Sequence, residues 1–213
     1  APFLTHFGTE EQKRHWLPKL AVGAEIGCFG LTEPNAGSDA AGIRTVGVPD
    51  GQGNYVINGA KQWITNGSFA TVIILLVNTN PAKGLMGITP FIVPFSTPGF
   101  ERGALEDTMG IRGSQQCVLT FRDMRVPESA ILGGPRNLGR GFNVAMKTLD
   151  SGRIGVAAMA VGIAQAALEK ALEFVKTREQ FGHAIKEFQG LQWYLAELAT
   201  ELYAARAMVY RVA

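Results

Sequence analysis

The chain has 213 residues, of which 46% are hydrophobic, and 20 Lys and Arg side chains against 18 Asp and Glu give a formal charge of +2. Because the positive and negative charges nearly balance, the composition predicts neither a basic surface for a nucleic acid nor a polybasic patch for a membrane. The two cysteines, Cys28 and Cys117, lie far apart and lack metal-ligand spacing. They are typical of buried thiols in an intracellular protein, and they predict neither a disulfide framework nor a metal site.

The first residues have the pattern of a helix end, with Gly8 as its stop and no signal-peptide start before it. Thr9 and Gln12 then form a capping box that begins a helix, which Pro18 should bend or restart and Gly23 should end. The last residues carry no stop signal. We therefore expect the chain to be a fragment of a longer protein.

From about residue 26 the hydrophobic period changes from helical to alternating, and turn signals follow at Asp50-Gly51, Asn58-Gly59 and Asn66-Gly67. The strand candidates are residues 45–48, 55–57, 62–65, 71–77, 91–94 and 117–121. Residues 72–77 are apolar on both faces, so this strand should be covered on both sides. Many short strands without intervening helices predict a small antiparallel barrel or sandwich.

After a linker at residues 132–135 the pattern becomes helical. One helix opens at Gly139 to Gly141 and runs to about Asp150, and residues 153–177 extend it or form a second helix. Residues 154–168 carry no formal charge but are too few to span a bilayer, so we expect a buried core helix. The last helix has an apolar seam at Phe188, Leu191, Leu195, Leu198, Leu202, Ala205 and Val209. This seam predicts near-parallel helix packing in a bundle.

Two segments stand out as candidate binding elements. Residues 29–39 (FGLTEPNAGSD) combine an apolar entry with a turn whose backbone amides can face an anion. Residues 63–67 (WITNG) place a large aromatic ring beside a hydroxyl at a strand end, which suits a planar ring ligand. Taken singly, the first is also typical of a surface turn and the tryptophan of a core residue.

Taken together and in this order, these segments resemble the flavin-binding signatures of the acyl-CoA dehydrogenase family. The similar motifs are LTEP at 31–34, GSD at 37–39 and NGAKQWITNG at 58–67, and the resemblance extends over the whole chain. It implies an α+β fold with N-terminal helices (1–27), a middle β domain (28–134) and the start of a C-terminal helical bundle (135–213). Residues 146–155 resemble butyryl-type relatives, which favours short-chain or branched-chain substrates, while residues 29–32 also resemble the glutaryl-type motif.

The resemblance implies FAD as cofactor and assigns contacts to Phe29, Gly30, Leu31, Thr32, Gly37, Ser38, Trp63, Ile64 and Thr65. In the family, the position of Thr32 bonds the pyrimidine side of the flavin, and the position of Trp63 flanks the ring. Ile64 and Thr65 should border the reactive edge, with the Thr65 hydroxyl toward N5. Gly37 and Ser38 should approach the pyrophosphate or the nearby pantetheine.

A second group, Arg178, Gln180, Phe181 and Gln189, matches family residues that reach across a subunit interface to the ADP half of a neighbour's FAD. For an unknown helix, an arginine near the C-terminal end would be a complement to the helix dipole. Arginine also suits phosphate through planar, multi-donor contact. The resemblance therefore assigns these residues to FAD binding in trans.

On the substrate side the resemblance assigns Ser38, Asp150 and Arg153, although an Asp and an Arg at this spacing are also typical of an exposed intrahelical ion pair. The isovaleryl-type and long-chain branches carry the catalytic Glu beside the Arg153 position, where this chain has Gly152. We therefore assign no catalytic residue in the chain and expect the base beyond Ala213.

The activity implied is oxidation of an acyl-CoA thioester to a trans-2-enoyl-CoA, with electrons passed to an electron-transfer flavoprotein. The implied state is a homo-oligomer, a tetramer in the parent protein, in the cytoplasm or, in a eukaryote, the mitochondrial matrix. An acyl-CoA oxidase or a flavin monooxygenase on the same scaffold is the alternative enzyme class. The non-enzymatic alternative is an inactive fragment that acts only as a flavin-binding or interaction module.

Overall fold

The computed structural model describes residues 2–213, apart from the side chain of Ser151. Its helices are α1 (Pro2–Phe7), α2 (Glu10–Ala21), α3 (Gly141–Thr177) and α4 (Gln189–Val212). Its strands are β1 (Gly27–Gly30), β2 (Val46–Pro49), β3 (Asn54–Thr65), β4 (Val72–Asn78), β5 (Ile88–Pro94), β6 (Phe100–Leu105), β7 (Gln116–Pro127), β8 (Glu179–Gln180) and β9 (His183–Ala184). Short 3-10 turns occur at Pro81–Gly87, Glu128–Ala130, Gly134–Asn137 and Ile185–Glu187. The predicted α+β fold is confirmed.

Helix α2 begins at the predicted capping box. The Thr9 hydroxyl accepts a bond from the Gln12 amide at 3.2 Å, and Gln12 Oε1 accepts from the Thr9 amide at 3.1 Å. The same Gln12 oxygen accepts from the Gly133 amide at 2.8 Å, and its Nε2 donates to the carbonyl of Ile131 at 2.8 Å. One side chain thus caps the helix and ties it to the segment after β7. The helix continues through Pro18 as one span, and no second helix starts there.

Seven strands form one mixed sheet in the order β1-β4-β2-β3-β7-β6, with β5 paired to β4. Most pairs are antiparallel, but β1 and β2 each pair with β4 in parallel, so the sheet is mixed where the sequence predicts a purely antiparallel one. All seven residues of β4 are buried, as its apolar sequence predicts. The core lies around β4, β5, β3 and β7, and its largest fully buried apolar side chains include Phe91, Phe121, Ile57 and Leu119.

The predicted turn at Asn58-Gly59 is wrong, because β3 runs through it as one strand of 12 residues. The pair forms an irregularity in the ladder with β7, where the register shifts between Ile57 and Gly59. Asn58 exchanges two bonds with Asp123, at 2.9 and 3.1 Å. Gly59 adopts φ +149°, and a Cβ there would lie 2.6 Å from the Thr45 hydroxyl, so close approach explains this glycine.

The chain divides into two compact units, one ending at Thr148 and one comprising Leu149–Ala213. In the second unit, α3 continues without interruption past Gly152, so residues 153–177 extend the preceding helix. Arg206 of α4 donates to Gln165 of α3 at 2.7 Å. Leu202, in the predicted seam of α4, is buried.

Residues 154–168 of α3 were expected to be buried, but most of them are exposed in this chain. Val156 and Ile163 are 62% and 59% exposed. By length and composition alone α3 could cross a membrane, a test that core helices of soluble proteins also meet. The segment is apolar, as the sequence predicts, but α4 does not supply the partners that would bury it.

Candidate functional site

The structure brings the two sequence motifs of the first unit into direct contact. The amide of Gln62, on β3, donates to the carbonyl of Thr32 at 2.9 Å. One residue earlier, Lys61 Nζ donates to the carbonyl of Leu31 at 3.1 Å. Residues 31–33 therefore lie along the last part of β3, immediately beside Trp63.

A buried ion pair lies at this junction. Lys61 Nζ is 2.8 Å from Glu33 Oε1, and their side chains are 0% and 2% exposed. Glu33 also accepts bonds from the backbone amides of Arg44, at 2.6 Å, and Thr45, at 2.9 Å. One carboxylate thus joins the first motif, the start of β2 and the end of β3.

Burial and pairing act on the two charges in opposite directions. Burial lowers the pKa of Lys61 to about 8, against the opposing effect of the Glu33 carboxylate. Burial alone would raise the pKa of Glu33, but the Lys61 ammonium and the bonds from Thr45 and Arg44 outweigh it and hold that pKa below its usual value. Both groups are therefore charged at neutral pH.

The turn after Glu33 is closed by backbone bonds. Glu33 and Ala36 exchange amide-to-carbonyl bonds of 3.0 Å in both directions. Asn35 donates from its side chain to the carbonyl of Gly42 at 3.0 Å. Gly37 and Ser38 follow this turn and are exposed, and a Cβ on Gly37 would meet nothing within 4 Å. That their backbone amides face an anion stays a prediction.

A bulge in β3 determines which side chains of the second motif point into the core and which are exposed. The ladder between β3 and β7 shifts register between Lys61 and Ile64, and Trp63 adopts φ +58°. The bulge points both Lys61 and Ile64 inward and leaves Trp63 49% exposed. A tryptophan in the left-handed region is uncommon and stores strain of roughly 1–3 kcal/mol. The Thr65 side chain is exposed on the same stretch.

Three assigned residues are buried. Ile64 is 2% exposed and belongs to the main core cluster, and Leu31 is 8% exposed. Gly30 is also buried, and a Cβ there would lie 2.8 Å from Ile73 Cδ1 and 3.4 Å from Lys61 Cγ. The glycine therefore permits close packing of β1 on the core. Ile64 and Gly30 can offer a ligand only their backbone.

An apolar groove of about 720 Å³ adjoins the same region and lies between α1, α2 and the sheet. Phe29 and Thr65 contribute to its wall together with Leu17 and Leu20 of α2. The Phe29 ring packs on Phe3 of α1 with centroids 4.5 Å apart. Phe29 is thus half-buried under the first helix.

The exposed groups match a planar heteroaromatic ligand that carries phosphates. In the part of the chain that the structure describes, the hydroxyls of Thr32, Ser38 and Thr65 bond to no protein group, so all three can serve a ligand. The Trp63 ring offers an apolar face on the same stretch as Thr65. This donor set fits FAD. Within residues 2–213, no group of three His, Cys, Asp or Glu side chains could hold a metal ion.

The second predicted group lies in the second unit, on a short hairpin. Arg178 follows α3, and β8 and β9 are joined by a two-residue turn at Phe181, φ +55°, and Gly182, φ +78°. Phe181 is 91% exposed at the tip, and Gln189 is the first residue of α4. Arg178, Gln180 and Gln189 are also exposed. All four residues, two on the hairpin and two beside it, are therefore exposed.

Asp150 and Arg153 lie one turn apart on α3, and both are exposed. Among the described side chains these two form no ion pair with each other. The structure therefore does not support the alternative interpretation of Asp150 and Arg153 as an intrahelical ion pair. Arg153 contributes to an apolar groove between α3 and α4, together with Ile154 and Val209. A Cβ on Gly152, between the two charged residues, would meet nothing within 4 Å.

The buried ion pair between Lys61 and Glu33 was not predicted from the sequence. Residues 55, 57 and 61 all point inward on β3, and only the last of them carries a charge. A lysine at an inward position of an alternating strand was the available signal. Its partner could not be named, because Glu33 lies 28 residues earlier in an irregular turn.

Comparison with known proteins identifies the class. The sequence model of the acyl-CoA dehydrogenase middle domain matches residues 28–124, and that of the acyl-CoA dehydrogenase C-terminal domain matches residues 139–213. The chain belongs to the acyl-CoA dehydrogenase family.

A short-chain specific acyl-CoA dehydrogenase from Megasphaera elsdenii is 48% identical over 97% of this chain and 53% of its own length. An acryloyl-CoA reductase (NADH) from Anaerotignum propionicum is 48% identical over 95% of this chain and 51% of its own length. The structure of butyryl-CoA dehydrogenase from Megasphaera elsdenii has a TM-score of 0.94 at 47% identity, and the match covers 98% of this chain and 54% of that one. The chain thus spans about half the length of the relatives it matches.

Proposed function

We propose that the protein containing this chain catalyses FAD-dependent α,β-dehydrogenation of an acyl-CoA thioester to a trans-2-enoyl-CoA. The observation that carries the proposal is the contact between the two motifs, where Gln62 donates to the carbonyl of Thr32 at 2.9 Å and so brings Thr32, whose hydroxyl bonds to no described protein group, beside the exposed Trp63. The 48% identity to a short-chain specific acyl-CoA dehydrogenase supports the same activity.

In this proposal the residues of the first unit bind and orient the cofactor. Thr32 and Thr65 offer hydroxyls to the ring, and the Trp63 face covers one side of it. Gly37 and Ser38 offer amides to the pyrophosphate. When bound, FAD supplies the hydride acceptor for the reaction. Arg178, Gln180, Phe181 and Gln189, on the hairpin and beside it, bind the ADP half of a neighbouring subunit's FAD, so the protein is a homo-oligomer, with a tetramer as the proposed form.

Asp150, Arg153 and Ser38 are the proposed substrate-side residues, and butyryl-CoA and isobutyryl-CoA are the proposed substrate class. The resemblance of residues 146–155 to butyryl-type relatives supports a short or branched chain. The family resemblance supports an electron-transfer flavoprotein as the electron acceptor. We place the protein in the cytoplasm or, in a eukaryote, in the mitochondrial matrix.

No carboxylate among residues 2–213 is assigned as the general base. Glu33 is 2% exposed and bound by Lys61, Arg44 and Thr45, so it cannot take a substrate proton. Gly152 offers no side chain at the position where some relatives carry the base. We therefore propose that these 213 residues alone have no measurable turnover.

The test uses the full-length protein that contains this chain. Denaturation should release FAD, and turnover of butyryl-CoA and isobutyryl-CoA should be measured with electron-transfer flavoprotein and, separately, with oxygen as acceptor. Release of FMN, or well-folded protein without any flavin, would contradict the cofactor assignment. Turnover with oxygen as fast as with the flavoprotein would favour the oxidase alternative.

The direction of the reaction is a second arm of the same test, because the relative from Anaerotignum propionicum is named an acryloyl-CoA reductase (NADH). We expect oxidation of saturated acyl-CoA to be coupled to the flavoprotein. Turnover seen only as NADH-dependent reduction of an enoyl-CoA would replace the dehydrogenase assignment with a reductase.

A further inference from the structure

The ion pair between Lys61 and Glu33 has no role in the proposed chemistry, yet it lies directly behind the site. Lys61 is fully buried, and it is the only charged residue among the large side chains of the described residues with exposure below 2%. Replacing a buried ion pair with apolar side chains of similar size is often neutral or stabilising, so a pair of this kind is weak evidence for stability. The role of the pair must therefore be inferred from the groups that Lys61 and Glu33 contact.

Each bond of the pair connects the first motif to another segment. Lys61 Nζ holds the carbonyl of Leu31 at 3.1 Å and the carboxylate of Glu33 at 2.8 Å, on either side of Thr32. The carboxylate in turn holds the amides of Arg44 and Thr45, at the entry to β2. Thr32 is thus fixed from both neighbours while its own hydroxyl bonds to no described protein group.

The turn that presents Gly37 and Ser38 depends on the same carboxylate. Glu33 is one end of the closed turn that ends at Ala36, with reciprocal backbone bonds of 3.0 Å. A Glu33 side chain without its ammonium partner would lose its preferred orientation or take up water in a buried place. Either change would move Thr32 and the turn relative to Trp63, because all of them are tied to the end of β3.

We propose that Lys61 and Glu33 are positioning residues of the flavin site, whose buried pair fastens residues 31–38 to the bulged end of β3. The inference rests on the proposed FAD-binding function. Neither residue touches the ligand in this assignment. Their effect acts through the placement of Thr32 and the amides of Gly37 and Ser38.

The experiment uses three variants of the full-length holoenzyme: Glu33→Asp, Glu33→Gln and the double variant Glu33→Gln/Lys61→Met. The first keeps both charges and shortens the reach by one methylene, and the last removes both charges together, so neither leaves a lone buried charge. Arg125→Met is the matched control. Arg125 pairs with Asp50 at 3.2 Å near the opposite end of β3.

Three readouts are compared: the Kd of the apoprotein for FAD, the visible absorption spectrum of the bound flavin, and the separate values of kcat and KM. We expect the variants to raise the Kd about tenfold or more, shift the flavin spectrum and lower kcat, since small displacements of positioned groups have large kinetic effects. The control should stay within about twofold of wild type on each readout.

If the variants fold, lose thermal stability and keep the wild-type spectrum and FAD affinity, the pair is only structural and the inference is overturned. If Glu33→Asp alone folds, the same comparison applies to it. If wild-type protein binds no FAD, the proposed function fails at a separate step, before any variant is compared.

Discussion

The guanidinium of Arg102, on β6, holds the turn that follows Thr65. Its Nε donates to the carbonyl of Gly67 at 3.1 Å, and its second terminal nitrogen donates to the carbonyl of Ala70 at 2.5 Å. The same guanidinium lies 4.4 Å from the ring centroid of Phe95. One strand at the edge of the sheet thus stabilises the turn at the end of β3, where the candidate site lies.

Replacing Arg102 with Met should destabilise the protein by about 2–3 kcal/mol, because two buried backbone carbonyls lose a charged donor. The control is Arg122→Met, since Arg122 is 72% exposed and its nitrogen lies 3.6 Å from Glu101. The control should change stability by less than about 0.5 kcal/mol. Urea unfolding followed by circular dichroism measures both, and equal effects would contradict the role given to Arg102.

Alanine variants of Gly59 and Gly51 should distinguish the steric clash of an added methyl group from the conformational cost of a positive φ. Both have positive φ, +149° and +75°, but a Cβ on Gly59 would lie 2.7 Å from Thr45 Cα, while one on Gly51 would meet nothing within 4 Å. Gly51→Ala should cost about 1 kcal/mol from conformation alone. Gly59→Ala should cost more than about 3 kcal/mol, since overpacking adds to strain. Thermal unfolding of the two variants tests the difference, and equal shifts in Tm would exclude the steric explanation.

Local patterns were sufficient for much of this fold. The capping box at Thr9, the helix stop at Gly8 and the turn at Asp50-Gly51 lie where the sequence predicts them, because each depends on residues a few positions apart. A continuous apolar run located β4, and apolar residues at steps of three and four located the long final helix.

The remainder depends on contacts between distant residues. Asn58-Gly59 has the composition of a turn but forms a bulge, since Asn58 bonds Asp123, which lies 65 residues later. The motif at residues 31–34 predicted a binding turn, but only the structure shows that Lys61 fastens it. The exposure of α3 was missed for a different reason: an apolar composition does not specify which partner covers a helix.

The contribution of Lys61 and Glu33 to the stability of the folded protein should depend on pH in a defined direction. Lys61 releases its proton near pH 8 in the folded protein and near pH 10.5 in the unfolded chain. Between these values the unfolded chain binds more protons, so the contribution of Lys61 makes stability rise with pH. Because the pKa of Glu33 is lowered, the contribution of this carboxylate disappears as pH falls below 4.5, the ordinary pKa of a glutamate.

The measurement is the free energy of unfolding in urea from pH 3 to 10.5 for wild type and for Glu33→Gln/Lys61→Met, which lacks both titrating groups. The difference, wild type minus variant, should rise from pH 8 upward and fall below pH 4.5. A difference that stays flat over both ranges would contradict the assigned pKa directions.

Phe181 should show opposite effects on stability and on cofactor binding. It occupies the left-handed region at φ +55°, where Asn is tolerated far better than Phe, and it is 91% exposed, with one edge contact to the ring of Phe188 at a centroid distance of 6.3 Å. Phe181→Asn should therefore leave stability unchanged or raise it by up to about 1 kcal/mol. If the ring contacts a neighbouring subunit's FAD, the same variant should weaken FAD retention by roughly tenfold.

The matched control is Ile111→Asn, because Ile111 has φ +53° and 63% exposure but no assigned ligand role. Both variants of the full-length holoenzyme are to be compared by Tm and by FAD content after dialysis. Equal FAD loss in both would show a general effect of loosening exposed loops, and full FAD retention in Phe181→Asn would remove Phe181 from the binding site.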